Sequence, residues 1–215
     1  MKVPVFALAL VPALYAAWGL YSDFALGTRF FGSNPINEAE HYTGRWALRF
    51  LIATLVVSPL RRLTGWNWLI KYRRMLGLFT FAYATIHLMV FFAIDIFFDL
   101  GLLIEEIIER PYITIGMTTW LLLLPLALTS TSGWVKRLGG KRWIALHRLI
   151  YVAAVTGTVH FLWAVKKDIQ RPLIYAAIIA LLLGFRLWLR LRDSAAPDSR
   201  LPTPDSRAPL VDCNT

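Results

Sequence analysis

The sequence predicts an all-α, polytopic membrane protein: a bundle of about six transmembrane helices with both termini in the cytoplasm. Of its 215 residues, 57% are apolar and only 17% are charged, whereas soluble domains carry about a quarter charged residues. Six apolar segments each approach the roughly 20 residues that a helix needs to cross the hydrocarbon core. Basic residues are concentrated in alternate loops. A soluble Rossmann or P-loop enzyme is therefore excluded.

The predicted spans cover residues 4–22, 44–60, 74–98, 113–131, 145–165 and 172–191. The first is interpreted as a retained helix rather than a signal peptide, because Lys2 is its only charged flank and the apolar run reaches Tyr21 without a small-residue cleavage site. Residues 1–192 are predicted to form one transmembrane domain. Residues 193–215, rich in Ser, Pro, Asp and Arg, are predicted to form a disordered cytoplasmic tail.

The charges in the loops predict the orientation. The loops after the second and fourth spans are basic and the loop between them is acidic; the side chains are Arg61, Arg62, Lys71, Arg73, Arg74, Lys136, Arg137, Lys141 and Arg142 against Glu105, Glu106 and Glu109. Basic loops remain in the cytoplasm. The net charge of +10 is thus explained by a lipid bilayer and not by nucleic acid. Lys166 and Lys167 fall on the outer side and depart from the rule.

Three of the four histidines, His87, His147 and His160, lie inside predicted spans, where an ionisable side chain is costly and needs a partner or a purpose. At about 1.5 Å per residue, His87 lies about 20 Å along its helix and His160 about 25 Å along its own, so the two are level near the outer side. Two level imidazoles suit the axial positions of a b-type haem iron. The alternative is that each is a neutral histidine bonded to a neighbouring helix. His41, in the first outer loop, is expected to be exposed.

Small and polar residues precede both histidines on the same helix face: Gly157, Thr156 and Ala153 before His160, and Ala84, Tyr83, Thr80 and Gly77 before His87. They leave space for a flat macrocycle, although small residues also let helices pack closely. Arg45 and Arg49, with Lys166 and Lys167, are candidates to neutralise haem propionates; simple snorkelling to lipid head groups is the alternative. The single cysteine, Cys213, excludes a thiolate-held cluster within one chain, and the absence of Cys-x-x-Cys-His excludes covalent haem.

His147 is only about 6 Å along its helix and has no histidine opposite at that depth. Thirteen residues turn a helix through about 1300°, which leaves His147 roughly 140° from the His160 face. Ligation of a second haem would need a kink near Gly157, a non-histidine ligand or a second chain. With Arg73, Arg74, Arg142 and Arg148 nearby, an anionic cofactor such as a flavin phosphate or a quinone head is the competing role.

The sequence resembles the MsrQ family, within the ferric-reductase-like transmembrane group, over about residues 5–190. The matching stretches are Asn34-Pro35, Thr43-Gly44-Arg45-Trp46-Ala47-Leu48, Pro59-Leu60-Arg61-Arg62, Arg73-Arg74-Met75-Leu76-Gly77-Leu78, Arg110-Pro111-Tyr112, Pro125-Leu126-Ala127-Leu128-Thr129-Ser130, Leu146-His147-Arg148-Leu149-Ile150-Tyr151 and His160-Phe161-Leu162-Trp163. The resemblance implies that His87, His147 and His160 are haem ligands. It implies one b-type haem, with a second haem and FMN as further candidates.

The resemblance also implies a multi-pass electron carrier of the bacterial inner membrane. A cytoplasmic flavin reductase or quinol would supply electrons, and a periplasmic MsrP-like molybdopterin enzyme that repairs oxidised methionine would receive them. The chain has no Gly-x-Gly-x-x-Gly after a strand, which agrees with an external donor. Two other classes stay open: a proton or solute transporter with a histidine relay, and a membrane anchor without a redox role.

Overall fold

A computed structural model of the chain describes residues 2–165 and 168–195. Every regular element in these two ranges is helical. The elements are α1 (Lys2–Ala25), α2 (Pro35–Thr64), α3 (Ile70–Met89), α4 (Leu100–Glu109), α5 (Pro111–Leu128), α6 (Ser132–Leu138), α7 (Gly140–His147), α8 (Leu149–Ala164) and α9 (Gln170–Ala195). A 3-10 turn (Asn67–Leu69) precedes α3, and a π-helix (Val90–Asp95) continues it. The all-α membrane bundle predicted from composition is confirmed.

Among the described residues, five helical segments are long and apolar enough to cross a membrane: Val3–Ala25, Asn67–Asp95, Pro111–Leu128, Gly140–Ala164 and Gln170–Ser194. The second predicted span, 44–60, is not among these five and lies in α2. That helix is the longest, at 30 residues, but Arg45 and Arg49 lower its apolar character. It contacts α1, α3, α8 and α9, so its polar side chains can face protein rather than lipid.

Two buried clusters hold the bundle together. The first joins α2, α5, α8 and α9 through Leu51, Leu55, Leu123, Ala153 and Ile179. The second joins α1, α2 and α3 through Ala9, Phe50, Phe79 and Tyr83, with the Phe50 and Phe79 rings stacked 5.4 Å apart. The most extensive helix contacts are α2 with α3 and α5 with α8. These two pairs form the walls of the site described below.

Local chemistry explains where the longest helix begins and ends. Asn34 caps α2 because its side-chain oxygen accepts a hydrogen bond from the backbone N–H of Asn37, and Pro35 occupies the first helical position. Gly65, at a φ of 74°, ends the helix in the left-handed region, where a residue without a Cβ is favoured.

The structure differs from the predicted spans at three places. The predicted span 145–165 is divided at Arg148 into α7 and α8. The acidic outer loop contains a helix, α4, capped by the Asp99 carboxylate. Helix α9 continues to Ala195, three residues into the predicted tail; the rest of that tail, like Lys166 and Lys167, lies outside the described residues.

Side chains from other helices bond backbone groups close to prolines in two helices. Pro12 lies inside α1, and the Tyr83 hydroxyl accepts from the N–H of Ala13 at 2.9 Å and donates to the carbonyl of Ala9 at 2.7 Å. Pro59 has no N–H for the carbonyl four residues earlier, Leu55, which instead accepts from the Arg186 guanidinium. Because lipid supplies no hydrogen bonds, such bonds tie helices together.

We expect Tyr83→Phe to lower the free energy of unfolding by about 1 kcal/mol, because the N–H of Ala13 and the carbonyl of Ala9 lose their hydrogen bonds to the hydroxyl. Unfolding of the purified protein by sodium dodecyl sulfate in mixed micelles measures the change. Tyr21→Phe is the matched control, since Tyr21 lies on α1, the helix that Tyr83 bonds, and is 56% exposed. Equal stability of the two variants would contradict the role given to Tyr83.

Candidate functional site

The imidazoles of His87 on α3 and His160 on α8 face each other inside the bundle. Their ring centroids are 6.0 Å apart, with an angle of 69° between the ring planes. The prediction that these two residues lie level, made by counting residues along two helices, is confirmed. The alternative in which each histidine simply bonds a neighbouring helix also describes part of the arrangement, because each ring has a backbone partner.

A backbone carbonyl orients each ring. His87 Nδ1 donates to the carbonyl oxygen of Glu40 at 2.9 Å, and His160 Nδ1 donates to that of Tyr112 at 2.7 Å. A carbonyl can only accept, so the proton is on Nδ1 and the lone pair of Nε2 is available. This is the arrangement found at metal-bound histidines, whose second nitrogen is normally held by a carbonyl or carboxylate.

Glycine follows each of these carbonyls by four residues, at Gly44 and Gly116. A Cβ on Gly44 would lie 3.3 Å from the His87 ring, and one on Gly116 would lie 2.8 Å from the His160 ring. In a helix, the Cβ of residue i+4 projects back towards the carbonyl of residue i. Each glycine therefore leaves the space through which the imidazole reaches its carbonyl.

A cavity opens between the two histidines and is walled by α2, α3, α5 and α8. Its lining includes Gly44, Arg45, Thr80, Ala84, His87, Arg110, Gly116, Gly157 and His160. Thr80, Ala84 and Gly157 were predicted there. The four other residues of the predicted faces do not line it: Tyr83 bonds α1, Ala153 packs in the core, Thr156 bonds the Thr119 hydroxyl at 2.8 Å, and Gly77 lies beside Thr54 of α2. The predicted face was too broad because each helix also uses it to pack against neighbours.

The arginines that line the cavity differ from those predicted to neutralise haem propionates. Arg45 lines the cavity, as expected, but Arg49 does not. The Arg49 guanidinium donates to the Tyr175 hydroxyl at 3.0 Å and stacks on the Trp46 ring at 4.6 Å. Arg110, which the sequence analysis did not select, lines the cavity. The sequence indicated this position only through Pro111, which directly follows Arg110 and is the first residue of α5.

Two titratable residues ahead of the predicted span 44–60 also line the cavity. One Glu40 carboxylate oxygen is buried without a hydrogen-bond partner, and burial, with a smaller effect of Asp95, raises the pKa of Glu40 to about 7. His41 is half-buried, not exposed as expected, because it belongs to α2. Burial and then Arg45 lower the pKa of His41. Both effects favour the neutral form of these side chains.

The donor set fits a haem better than a bare metal ion. Within the described ranges, no three His, Cys, Asp or Glu side chains come together as metal ligands, and two imidazoles alone leave four positions of a six-coordinate iron unfilled. A porphyrin supplies those four nitrogens. The available Nε2 atoms of His87 and His160 and the cavity between the two rings fit the iron and the macrocycle of such a group. Arg45 and Arg110 also line the cavity and fit its propionates, although Arg110 forms an ion pair with Glu106 at 2.9 Å as well.

His147 lies away from this cavity, at the last residue of α7. Its ring stacks on Trp143 with centroids 3.9 Å apart, and its Nδ1 donates to the Trp143 carbonyl at 3.1 Å. Its Nε2 is buried without a hydrogen-bond partner. The helix break that separates it from the His160 face lies at Arg148, not near Gly157.

The arginines predicted to accompany His147 separate in the structure. Arg73 lines a second cavity at the basic end of the bundle, the end that carries the C-terminus of α2 and the N-terminus of α3. Arg74 and Arg148 are exposed and do not line that cavity. Arg62, predicted only as part of a basic loop, lines it, as do Arg186 and Arg190 of α9.

Comparison with known proteins agrees with the geometry. Residues 43–158, more than half of the chain, match the family described as "Ferric reductase like transmembrane component". The chain is 48% identical over 190 residues to the "Protein-methionine-sulfoxide reductase heme-binding subunit MsrQ" of Xanthomonas campestris pv. campestris (strain B100), covering 88% of this chain and 87% of that protein. It is 46% identical over 212 residues to the protein of that name from Azospira oryzae, covering 98% and 88%.

We expect Gly116→Ala to displace the His160 ring, because the added methyl carbon would lie 2.8 Å from it, and Gly44→Ala to act more weakly on His87 at 3.3 Å. The measurement is the haem absorption spectrum of the purified protein: if His87 and His160 hold the iron, its low-spin component should be lost or reduced in that order. Gly184→Ala is the control, because its Cβ would meet no atom within 4 Å. Unchanged spectra in both cavity variants would show that the glycines do not position the histidines.

Proposed function

This chain belongs to the MsrQ family of the ferric-reductase-like transmembrane group, and on that premise we propose that it passes electrons across a membrane through a b-type haem held by His87 and His160. The family membership makes the chain a membrane redox subunit. The ligands, the donor and the acceptor are our proposal. The observation that carries it is the 6.0 Å separation of two imidazoles whose Nδ1 atoms are both already bonded.

The separation has a simple physical basis. A ligating imidazole nitrogen lies about 2 Å from a metal ion, and the ring centroid lies about 1 Å farther, so the centroid distance of 6.0 Å between His87 and His160 would let both residues hold one haem iron. A haem bound there would supply one-electron chemistry. The chain orients the two imidazoles through the carbonyls of Glu40 and Tyr112, lines the cavity with apolar side chains, and would hold the propionates through Arg45 and Arg110.

Reduction of a methionine sulfoxide consumes two electrons and two protons and releases water, so a one-electron carrier must act twice for each sulfoxide. We propose a periplasmic MsrP-like molybdopterin reductase as the acceptor, because the paired histidines lie towards the end of the bundle opposite the basic loops. A cytoplasmic flavin reductase or quinol at the basic end is the proposed donor. With this orientation, the bacterial inner membrane is the proposed location of the chain.

The remaining predicted assignments belong to the same proposal. His147 has a buried, unpartnered Nε2 on the basic side, which supports a role in ligating a second haem or in contacting a flavin or quinone. Arg74 and Arg148 are exposed on that side and can contact a donor. Residues 1–192 act as the haem-binding domain, and 193–215 as a cytoplasmic tail.

His87→Ala and His160→Ala test the ligands. Each variant should lose the low-spin haem spectrum, because one axial nitrogen is removed while the other remains. Haem content by pyridine haemochrome assay and the reduced-minus-oxidised spectrum are the measurements. His41→Gln, a cavity histidine that the proposal does not place on the iron, should keep the bis-histidine signature. A full low-spin spectrum in either alanine variant would contradict the proposal.

The same preparation separates the other two functional classes. After chemical reduction, the wild-type spectrum should return to the oxidised form when a purified MsrP-type reductase and methionine sulfoxide are added. A transporter with a histidine relay would be colourless. An anchor without a redox role would bind the reductase without this oxidation.

Arg45→Gln should lower the haem midpoint potential by tens of millivolts, because a nearby cation stabilises the reduced form, which carries one positive charge less. Arg49→Gln is the matched control: it lies one turn away on α2 but bonds Tyr175 outside the cavity. Spectroelectrochemical titration of both variants measures the difference. Equal shifts for the two would refute the placement of Arg45 beside the propionates.

A further inference from the structure

Helix α4 connects two membrane-spanning segments at the end of the bundle opposite the basic loops, and it has one apolar face. Its ten residues measure about 15 Å, which is too short to cross a bilayer. Leu100, Ile104 and Ile108 follow one another at four-residue spacing and form a stripe along the helix, whereas Glu105 and Glu109 lie on the other side. We call these three apolar residues the α4 stripe.

The α4 stripe is exposed at the surface of the bundle. Leu100 is 64% exposed, Ile104 59% and Ile108 76%. Leu103 and Ile107, on the adjoining side of the helix, are half-buried, and α4 contacts α5. The helix thus packs against the protein with one edge of its apolar face and leaves the rest uncovered. A contiguous apolar surface of this kind is typical of a contact with lipid or with another protein.

Short connections hold α4 at the level where a span begins. Arg110 is the only residue between α4 and α5, and residues 96–99 are the only ones between α4 and the π-helix that continues α3. The Thr114 hydroxyl, in the first turn of α5, donates to the carbonyl of Ile107. The span Pro111–Leu128 has 18 residues and is about 27 Å long. Its first residue therefore lies near the boundary of a hydrocarbon core of about 30 Å.

The connection before α4 exposes two phenylalanine rings at the same end of the bundle. Phe97 and Phe98 have φ angles of 50° and 61°, in the left-handed region that is strained for residues with a Cβ. Phe97 is 79% exposed and Phe98 62%, although the Phe98 ring also contacts the edge of Phe92 at 5.2 Å. The chain reverses direction here at the cost of strain, and contact of the two rings with lipid would offset that cost.

We propose that α4 is an interfacial membrane helix whose stripe inserts into the lipid leaflet at this end of the bundle. Lipid is favoured over a docked protein because both ends of α4 are tied closely to spans, so the stripe continues their lipid-facing surface. Glu105 and Glu109 would face water. Because this polar side is acidic, the buried apolar area drives insertion, and attraction to anionic lipids does not. The inference does not rest on the haem proposal.

The position of α4 also bears on the cavity between His87 and His160. Arg110, which directly follows α4, pairs with Glu106 at 2.9 Å and lines that cavity. Tyr112, two residues later, provides the carbonyl that orients His160. With α4 in the interface, Arg110 lies at the level of the lipid head groups. A protein that docks at this edge of the cavity therefore approaches along the membrane surface.

The test measures the depth of α4 in the full-length, haem-loaded protein in nanodiscs of phosphatidylcholine. Single cysteines are introduced by Ile104→Cys or Ile108→Cys in a Cys213→Ser background, which removes the one native cysteine, and each is labelled with a nitroxide. Glu105→Cys and Glu109→Cys are the matched controls on the other side of the helix. Power-saturation electron paramagnetic resonance compares access of oxygen, which concentrates among acyl chains, with access of a nickel chelate, which stays in water.

Leu121→Cys calibrates the depth scale, because Leu121 of α5 is 55% exposed and lies ten residues beyond Pro111, or about 15 Å along the span. The ratio of oxygen access to nickel access at positions 104 and 108 should be at least about threefold the ratio at 105 and 109, and should correspond to a depth of about 5–10 Å. The size-exclusion profile and haem spectrum of each labelled protein check its folding.

Two results would overturn the proposal. Equal ratios on the two sides of α4 would show that the stripe lies in water. Exclusion of both reagents from positions 104 and 108 would show that protein, either another chain or a second copy of this one, covers the stripe. If the labelled variants do not fold, the wild-type protein with a photoactivatable phospholipid decides: mass spectrometry must place carbene adducts on Leu100, Ile104 or Ile108, and their absence there would equally refute insertion.

Discussion

Two hydrogen bonds from imidazole to backbone carbonyl fix the orientation of His87 and His160 and leave Nε2 of each ring available to a ligand. Without them, His87 and His160 would rotate about their side-chain bonds and either ring nitrogen could face the cavity. With Nδ1 bonded to the carbonyls of Glu40 and Tyr112, the Nε2 lone pair of each histidine is available to a ligand. Because of this orientation, the 6.0 Å separation of the two rings and the cavity between them fit a cofactor with a metal at its centre.

On both sides of the cavity, the neighbouring helix orients a histidine with a backbone carbonyl and a glycine. Helix α2 provides the carbonyl and the glycine for a histidine on α3, and α5 provides them for a histidine on α8; the glycine is the fourth residue after the carbonyl each time. These are also the two most extensively packed helix pairs. Close packing is what brings a carbonyl within reach of a neighbouring ring, so the fold and the ligand geometry depend on the same contacts.

Backbone groups freed by proline link the bundle to its second cavity. In lipid, an unpaired carbonyl must find a partner within the protein. Pro59 leaves the carbonyl of Leu55 without its helical donor, and Arg186 supplies one from α9. A charged side chain is thereby fixed inside a span, close to Arg73 and Arg190. The cost of burying this cation is offset in part by the hydrogen bonds that it makes, and the cluster of arginines is a consequence of where it is held.

The sequence alone was sufficient for the fold class, for the positions of the helices and for the pairing of His87 with His160. These depend on apolar length and on the rise per residue, which backbone geometry makes nearly constant, so depth follows from counting. It was not sufficient to select Arg45 and Arg110 over Arg49, to identify the roles of Gly44 and Gly116, or to place Arg73 with Arg186 instead of with Arg74 and Arg148. Those choices depend on the rotation of each helix about its axis and on its neighbours, which only the packing of the whole bundle decides.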